Sequence, residues 1–148
     1  MTLQERVQRE LKAAMLARDG DRVGTLRLLK SAIDYAKLER KNDNLADAEV
    51  VAIIQREVKK RRDAAGQYLS GGRPELAEKE NREITVLETF LPQPLSAADL
   101  EQLVRATIAE VGATSKKEMG LVMKAAQAKA AGRADGRTIS ALVGKLLP

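Results

Sequence analysis

Apolar residues along the chain recur at every third or fourth position, which is the period of an α-helix. No stretch alternates apolar and polar residues in the manner of a half-buried strand. Turn residues and prolines divide the helical pattern into seven segments, at about residues 2–18, 21–40, 47–69, 74–90, 96–111, 116–131 and 136–147. The pattern therefore predicts an all-α fold.

Two prolines, Pro92 and Pro94, separate the fourth predicted helix from the fifth. Each lacks a backbone N–H and restricts the residue before it, so a helix cannot run through them. We place a domain boundary here, which predicts an N-terminal four-helix region, residues 1–91, followed by a small C-terminal three-helix domain, residues 92–148. A unit as small as the second is only marginally stable alone and is expected to dock on a neighbour or a partner.

The sixth predicted helix is the one on which most candidate residues lie. Ser115 and Glu118 have the spacing of a capping box and should start it. Gly120 lies inside the helix, where glycine costs roughly 1 kcal/mol relative to alanine, so we expect a neighbouring helix to pack against it. Gly132 should end the helix in a left-handed conformation, and Asp135 should start the seventh.

Composition argues against several kinds of chemistry. The chain has no cysteine and no histidine, which removes disulfides, thiolate sites, and the commonest metal ligand and general base. It has no glycine-rich phosphate loop, no G-x-S-x-G motif and no metal-ligand cluster, so we predict no catalytic residue, metal or cofactor. No apolar run approaches 18 residues, which predicts a cytoplasmic protein without a membrane partner.

The balance of charge favours an acidic partner such as nucleic acid. The formal net charge is +5, and the sequence pI is about 9.6. Residues 1–91 carry net +2 and the shorter segment 92–148 carries net +3, so the second is more basic per residue. The alternative is that these cations only solvate helix surfaces.

Two groups of residues are candidates for RNA contact. A helix start with free N–H groups beside lysines can bind phosphate. The turn from Gly132 to Gly136 offers a second phosphate site, because its small residues let a backbone come close. In the other group, four consecutive cations at 59–62 spread around a helix, so we expect Arg61 or Lys59 to pair with carboxylates such as Asp34, Glu57 or Glu80. The candidate RNA-binding residues are Lys116, Lys117, Gly120, Lys124, Lys129, Arg133, Arg137, Lys59 and Arg62.

Several motifs resemble one known family. The runs E-M-G-L-V-M-K (118–124) and G-R-A-D-G-R (132–137) are similar to the tail domain of GatB, a subunit of the amidotransferase that acts on misacylated transfer RNA, and more closely to the stand-alone YqeY proteins. Further matching motifs lie at residues 25–33, 59–63, 72–80 and 91–96. One departure is Ala46, where the family tends to place a serine or threonine helix cap, and this weakens the predicted start of the third helix.

The resemblance implies a function that the composition alone does not. It implies a transfer-RNA-binding accessory module that works with an amidotransferase or a glutaminyl-tRNA synthetase. Two alternatives stay open: a helical protein-interaction adaptor without specific RNA binding, and a carbon–nitrogen ligase with glutamine as amido donor. The chain shows no residues suited to the ligase reaction.

Overall fold

The computed structural model describes all residues, 1–148, and they form seven α-helices without a strand. The helices are α1 (Leu3–Leu16), α2 (Gly20–Arg40), α3 (Asp47–Ser70), α4 (Pro74–Glu88), α5 (Ala97–Val111), α6 (Met119–Ala130) and α7 (Gly136–Leu146). A single 3-10 turn, Lys116–Glu118, precedes α6. The all-α prediction is confirmed.

Most helices begin where a polar side chain accepts a hydrogen bond from a first-turn N–H. This is so for α1, α2, α5 and α7, whose capping residues are Thr2, Asp19, Ser96 and Asp135. Helix α3 lacks such a cap because its capping position holds Ala46. There the Glu49 carboxylate accepts a hydrogen bond from the Ala46 N–H at 3.3 Å, so half of a capping box is present and the helix still begins at Asp47.

The chain consists of two compact units, Met1–Leu91 and Pro92–Pro148, which we call the N-terminal unit and the C-terminal unit. Each has its own apolar core. The core of the N-terminal unit includes Val7, Leu11, Leu26, Leu29, Ile33, Val50, Ile54, Ile84 and Leu87. The core of the C-terminal unit includes Leu100, Val104, Val122, Ala126, Ile139 and Val143. Independent folding of the two units stays a prediction.

The length and composition of the helices also bear on membranes. None of the seven combines the length with the apolar character that crossing a bilayer would require.

Candidate nucleic-acid interface

The candidate cations of the C-terminal unit lie on three consecutive elements. Lys116 and Lys117 belong to the 3-10 turn, Lys124 and Lys129 to α6, and Arg137 to the first turn of α7. Arg133 lies in the connection between α6 and α7. The structure thus places them in one continuous segment, residues 116–137.

The predicted helix start at Ser115 is wrong in its details. The Ser115 side chain makes no capping hydrogen bond, and α6 itself begins only at Met119, after the 3-10 turn. The Glu118 carboxylate accepts a hydrogen bond from the Thr114 N–H at 3.3 Å, and the Lys116 N–H donates to the Pro148 carbonyl at 3.2 Å. An acidic side chain therefore lies at this end and the Lys116 N–H is already engaged, so the structure does not show the open helix start beside the lysines that we expected.

The second predicted phosphate site, the turn from Gly132 to Gly136, is likewise engaged within the protein. The Ala131 N–H donates to the Gln127 carbonyl and the Arg133 N–H to the Ala130 carbonyl, at 3.1 and 2.9 Å. At the start of α7 the Asp135 carboxylate accepts a hydrogen bond from the Thr138 N–H at 2.7 Å. A phosphate approaching this helix start would therefore meet a carboxylate, so phosphate contact here has to come from side-chain cations.

Two of the candidate cations have partners inside the C-terminal unit. Lys129 forms an ion pair with Glu110 on α5. Arg133 donates from Nε to the Gln93 carbonyl at 2.9 Å, while its own carbonyl accepts a hydrogen bond from the Leu95 N–H at 2.9 Å. Arg133 therefore holds the proline-containing segment, residues 92–96, against the turn that follows α6.

The other candidate cations of the C-terminal unit form no ion pair. Lys116, Lys117, Lys124 and Arg137 are all exposed, and they take part in neither of the ion pairs found in this unit. Lys145, which we did not select from the sequence, is exposed and unpaired as well, but it lies in the last turn of α7, where a cation stabilises the helix dipole.

Gly120 does not pack against a neighbouring helix, so that prediction is wrong. The residue is exposed, and apart from the adjoining backbone of its own helix no atom lies within 4 Å of the position that a Cβ would occupy. It belongs to an exposed strip of α6 and the preceding turn, in which Lys117, Leu121, Lys124 and Ala128 follow at helical spacing. Sequence reasoning did not select Leu121, which is exposed in this strip although it is apolar.

Replacing Gly120 by alanine should stabilise the C-terminal unit by about 0.5–1 kcal/mol, since alanine has the better helix propensity and the added methyl group meets open space. Urea unfolding followed by far-UV circular dichroism measures the change. As a control, Gly112→Ala should instead destabilise the unit by about 1 kcal/mol, because Gly112 has a left-handed backbone with φ 73°. A clear loss of stability in Gly120→Ala would mean that the position is packed after all.

In the N-terminal unit, one of the four consecutive cations of α3, residues 59–62, is buried and the other three are exposed. Arg61 is buried and forms ion pairs with Glu57 and Glu83, so the predicted structural role is confirmed for this residue with Glu57 as one partner. The other expected partners were wrong: Asp34 pairs with lysines of its own helix α2, and Glu80 takes no part in this network. Of the two candidate RNA-binding residues here, Arg62 pairs with Glu88 at 3.3 Å, and Lys59 is exposed without an ion pair.

One concave feature of the N-terminal unit is a cleft of about 190 Å³. Its lining mixes acidic and basic side chains from the start of α2 and from α4: Asp19, Asp21, Arg22, Thr25, Lys79, Arg82, Glu83 and Val86. No group of three or more acidic side chains is arranged to hold a metal ion. The candidate site that we consider further is therefore the set of exposed, unpaired cations in residues 116–137.

Comparison with known proteins gives a family. A family model described as Yqey-like protein matches residues 4–147 of the chain. An uncharacterized protein of Schizosaccharomyces pombe is 34% identical over 64% of this chain and 76% of its own length.

Two further relatives carry the name altered inheritance of mitochondria protein 41, mitochondrial. The protein from Vanderwaltozyma polyspora is 29% identical and that from Kluyveromyces lactis 30%, each over 57% of this chain. The matched regions span 46% and 45% of those two relatives, so less than half of each is represented here.

Proposed function

The chain belongs to the YqeY-like family, and from that premise we propose that it is a transfer-RNA-binding accessory module that works with an amidotransferase or a glutaminyl-tRNA synthetase. The resemblance of residues 118–137 to the GatB tail supports this direction. The observation that carries the proposal is the set of exposed cations without acidic partners in the C-terminal unit.

These cations suit contact with an RNA backbone. An exposed lysine that forms no ion pair keeps its full charge available to an incoming phosphate, whereas a paired one must first release its carboxylate. Lys117 and Lys124 lie about two helical turns apart, a distance on the order of 10 Å, so they can contact different phosphates of one strand. Gly120 lies between them and adds no side chain that would keep the strand away from the helix surface.

Contacts of this kind position an RNA without reading its sequence. Selectivity for transfer RNA would then come from the shape of the RNA or from the partner enzyme. This fits an accessory module better than an autonomous recognition protein. The cytoplasmic location predicted from the sequence stays a prediction, and the names of the two yeast relatives assign those proteins to mitochondria.

The proposal is tested by charge reversal of the four unpaired cations, Lys116, Lys117, Lys124 and Arg137, to glutamate. We expect transfer-RNA affinity to fall by about a hundredfold at low salt, and the slope of log affinity against log salt to flatten by roughly three to four. The reduction should be similar for different transfer RNAs. Fluorescence anisotropy with labelled RNA over a series of salt concentrations measures both quantities.

The matched control reverses four exposed, unpaired cations of the N-terminal unit, Arg9, Lys12, Lys41 and Lys79, which changes the net charge by the same amount. Equal losses in the two variants would reduce the effect to net charge. No loss in the first variant would reject the RNA proposal and favour the protein-interaction adaptor. Arg133 is left unchanged because its hydrogen bonds to residues 93 and 95 make it part of the fold.

A further inference from the structure

One side of α2 is apolar but is not covered by the rest of the N-terminal unit. Leu28, Tyr35 and Leu38 keep 55%, 70% and 79% of their surface exposed. With the exposed small residues Gly24 and Ser31 they follow spacings of four, three, four and three, which is the seam of a coiled coil. We call these five residues the α2 outer face.

Gly24 adds a second observation at the same surface. It lies in the interior of a 21-residue helix, where glycine lowers helix stability relative to alanine. No atom of the chain lies within 4 Å of the position of its missing Cβ, so nothing within the chain requires a glycine there. A large side chain from another helix could fill that space.

We propose that the α2 outer face is the surface through which the protein associates with a second copy of itself, with the two α2 helices packed antiparallel about a two-fold axis. In one register Tyr35 of each copy lies opposite Gly24 of the other, and Leu28 lies opposite Ser31. The four layers formed by Gly24, Leu28, Ser31 and Tyr35 then each pair one large residue with one small residue, which lets side chains interdigitate, and Leu38 lies opposite Asp21 at the start of the other helix.

Flanking charges favour this register over its neighbours. Arg27 and Asp34 lie beside the seam, and the register brings Arg27 of each copy next to Asp34 of the other, which gives two symmetric ion pairs. If one helix were shifted by seven residues in one direction, the Asp34 side chains of the two copies would lie side by side. A shift in the other direction would bring the two Arg27 side chains together, so both alternatives place like charges next to each other. Asp34 pairs with Lys30 and Lys37 of its own helix at 2.7 and 3.7 Å but remains partly exposed, so its carboxylate can still reach a third cation.

The size of the α2 outer face sets the expected strength of association between the two copies. A helix of 21 residues is about 30 Å long, and one helix from each copy buries an area at the lower end of specific interfaces. The dimer should therefore be reversible, with a dissociation constant on the order of micromolar.

Sedimentation equilibrium from about 1 to 500 μM tests the proposal. The average mass should rise from 16.1 kDa toward twice that value. Leu28→Glu and Tyr35→Glu should each keep the chain monomeric while helicity and thermal midpoint stay unchanged. Leu69→Glu, at an equally exposed leucine of α3, is the control and should associate as the unmodified chain does.

Charge exchange tests the register. Arg27→Asp should weaken association by at least about tenfold, and the pair Arg27→Asp with Asp34→Arg should restore it. Failure of that pair to restore association would overturn the antiparallel register. A chain that is monomeric at every concentration, or a dimer that survives both glutamate variants, would overturn self-association through α2.

Discussion

Replacing Arg61 by alanine is expected to lower the unfolding free energy of the N-terminal unit by about 3–5 kcal/mol. The Arg61 side chain is only 9% exposed and lies between the carboxylates of Glu57 and Glu83, at 3.5 and 2.9 Å. Its Nη1 also donates to the Glu57 backbone carbonyl at 3.1 Å. Removing the guanidinium leaves the largely buried Glu83 carboxylate without a counter-ion and leaves Glu57 with only the exposed Lys60, at 2.8 Å, which is why the expected loss is large.

The unfolding free energy of the N-terminal unit can be measured separately from that of the C-terminal unit. Both tyrosines, Tyr35 and Tyr68, lie in the N-terminal unit and the chain has no tryptophan, so tyrosine fluorescence during urea unfolding follows this unit alone. Adding Glu57→Gln and Glu83→Gln to Arg61→Ala should recover part of the stability, because the uncompensated charges are then gone.

The matched control is the neighbouring residue Arg62. Its ion pair with Glu88 lies at the surface, so Arg62→Ala should change stability by less than about 1 kcal/mol. If Arg61→Ala were as mild as Arg62→Ala, the buried ion network would not be a stabilising feature of this fold.

The second large effect is expected in the C-terminal unit. Ile139 of α7 is fully buried among Val104, Val122 and Val143, and Ile139→Ala should remove about 2–5 kcal/mol. A unit of this size rarely has more than about 3–5 kcal/mol to lose. We therefore expect it to unfold by itself at room temperature.

Two spectroscopic signals separate this outcome from global unfolding. Far-UV circular dichroism should lose roughly a third of its helical signal, the share of α5, α6 and α7, while the tyrosine transition of the N-terminal unit stays where it was. The exposed Leu121→Ala is the control and should have little effect. A parallel shift of the tyrosine transition would argue against two independently folding domains.

Sequence reasoning located the helices well because their signals are local. The capping residues Thr2, Ser96 and Asp135 and the stop at Pro92 act within a few residues of themselves. Local signals failed around Ser115. There the first turn adopts a 3-10 conformation, and the Lys116 N–H donates to the carbonyl of Pro148, more than thirty residues away.

The candidate site was predictable only as a charged segment. Which of its cations are available depends on partners that the sequence does not specify. Lys129 is engaged by Glu110 from another helix, and Arg133 by the backbone of residues 93 and 95. Gly120 was misinterpreted for a related reason, since a helical glycine can mark either a close neighbour or an open surface and only packing distinguishes them.

The hydrogen bond from the Leu95 N–H to the Arg133 carbonyl has a consequence for amide exchange. Pro92 and Pro94 have no amide proton, so residues 92–96 at the start of the C-terminal unit offer few exchangeable sites. Leu95 is one of them, and its proton is held by a partner 38 positions later in the chain. Its exchange with deuterium therefore requires the segment to leave the turn after α6, whether or not any helix opens. One backbone amide thus reports the attachment of residues 92–96 to the turn after α6 within the C-terminal unit, separately from the stability of its helices.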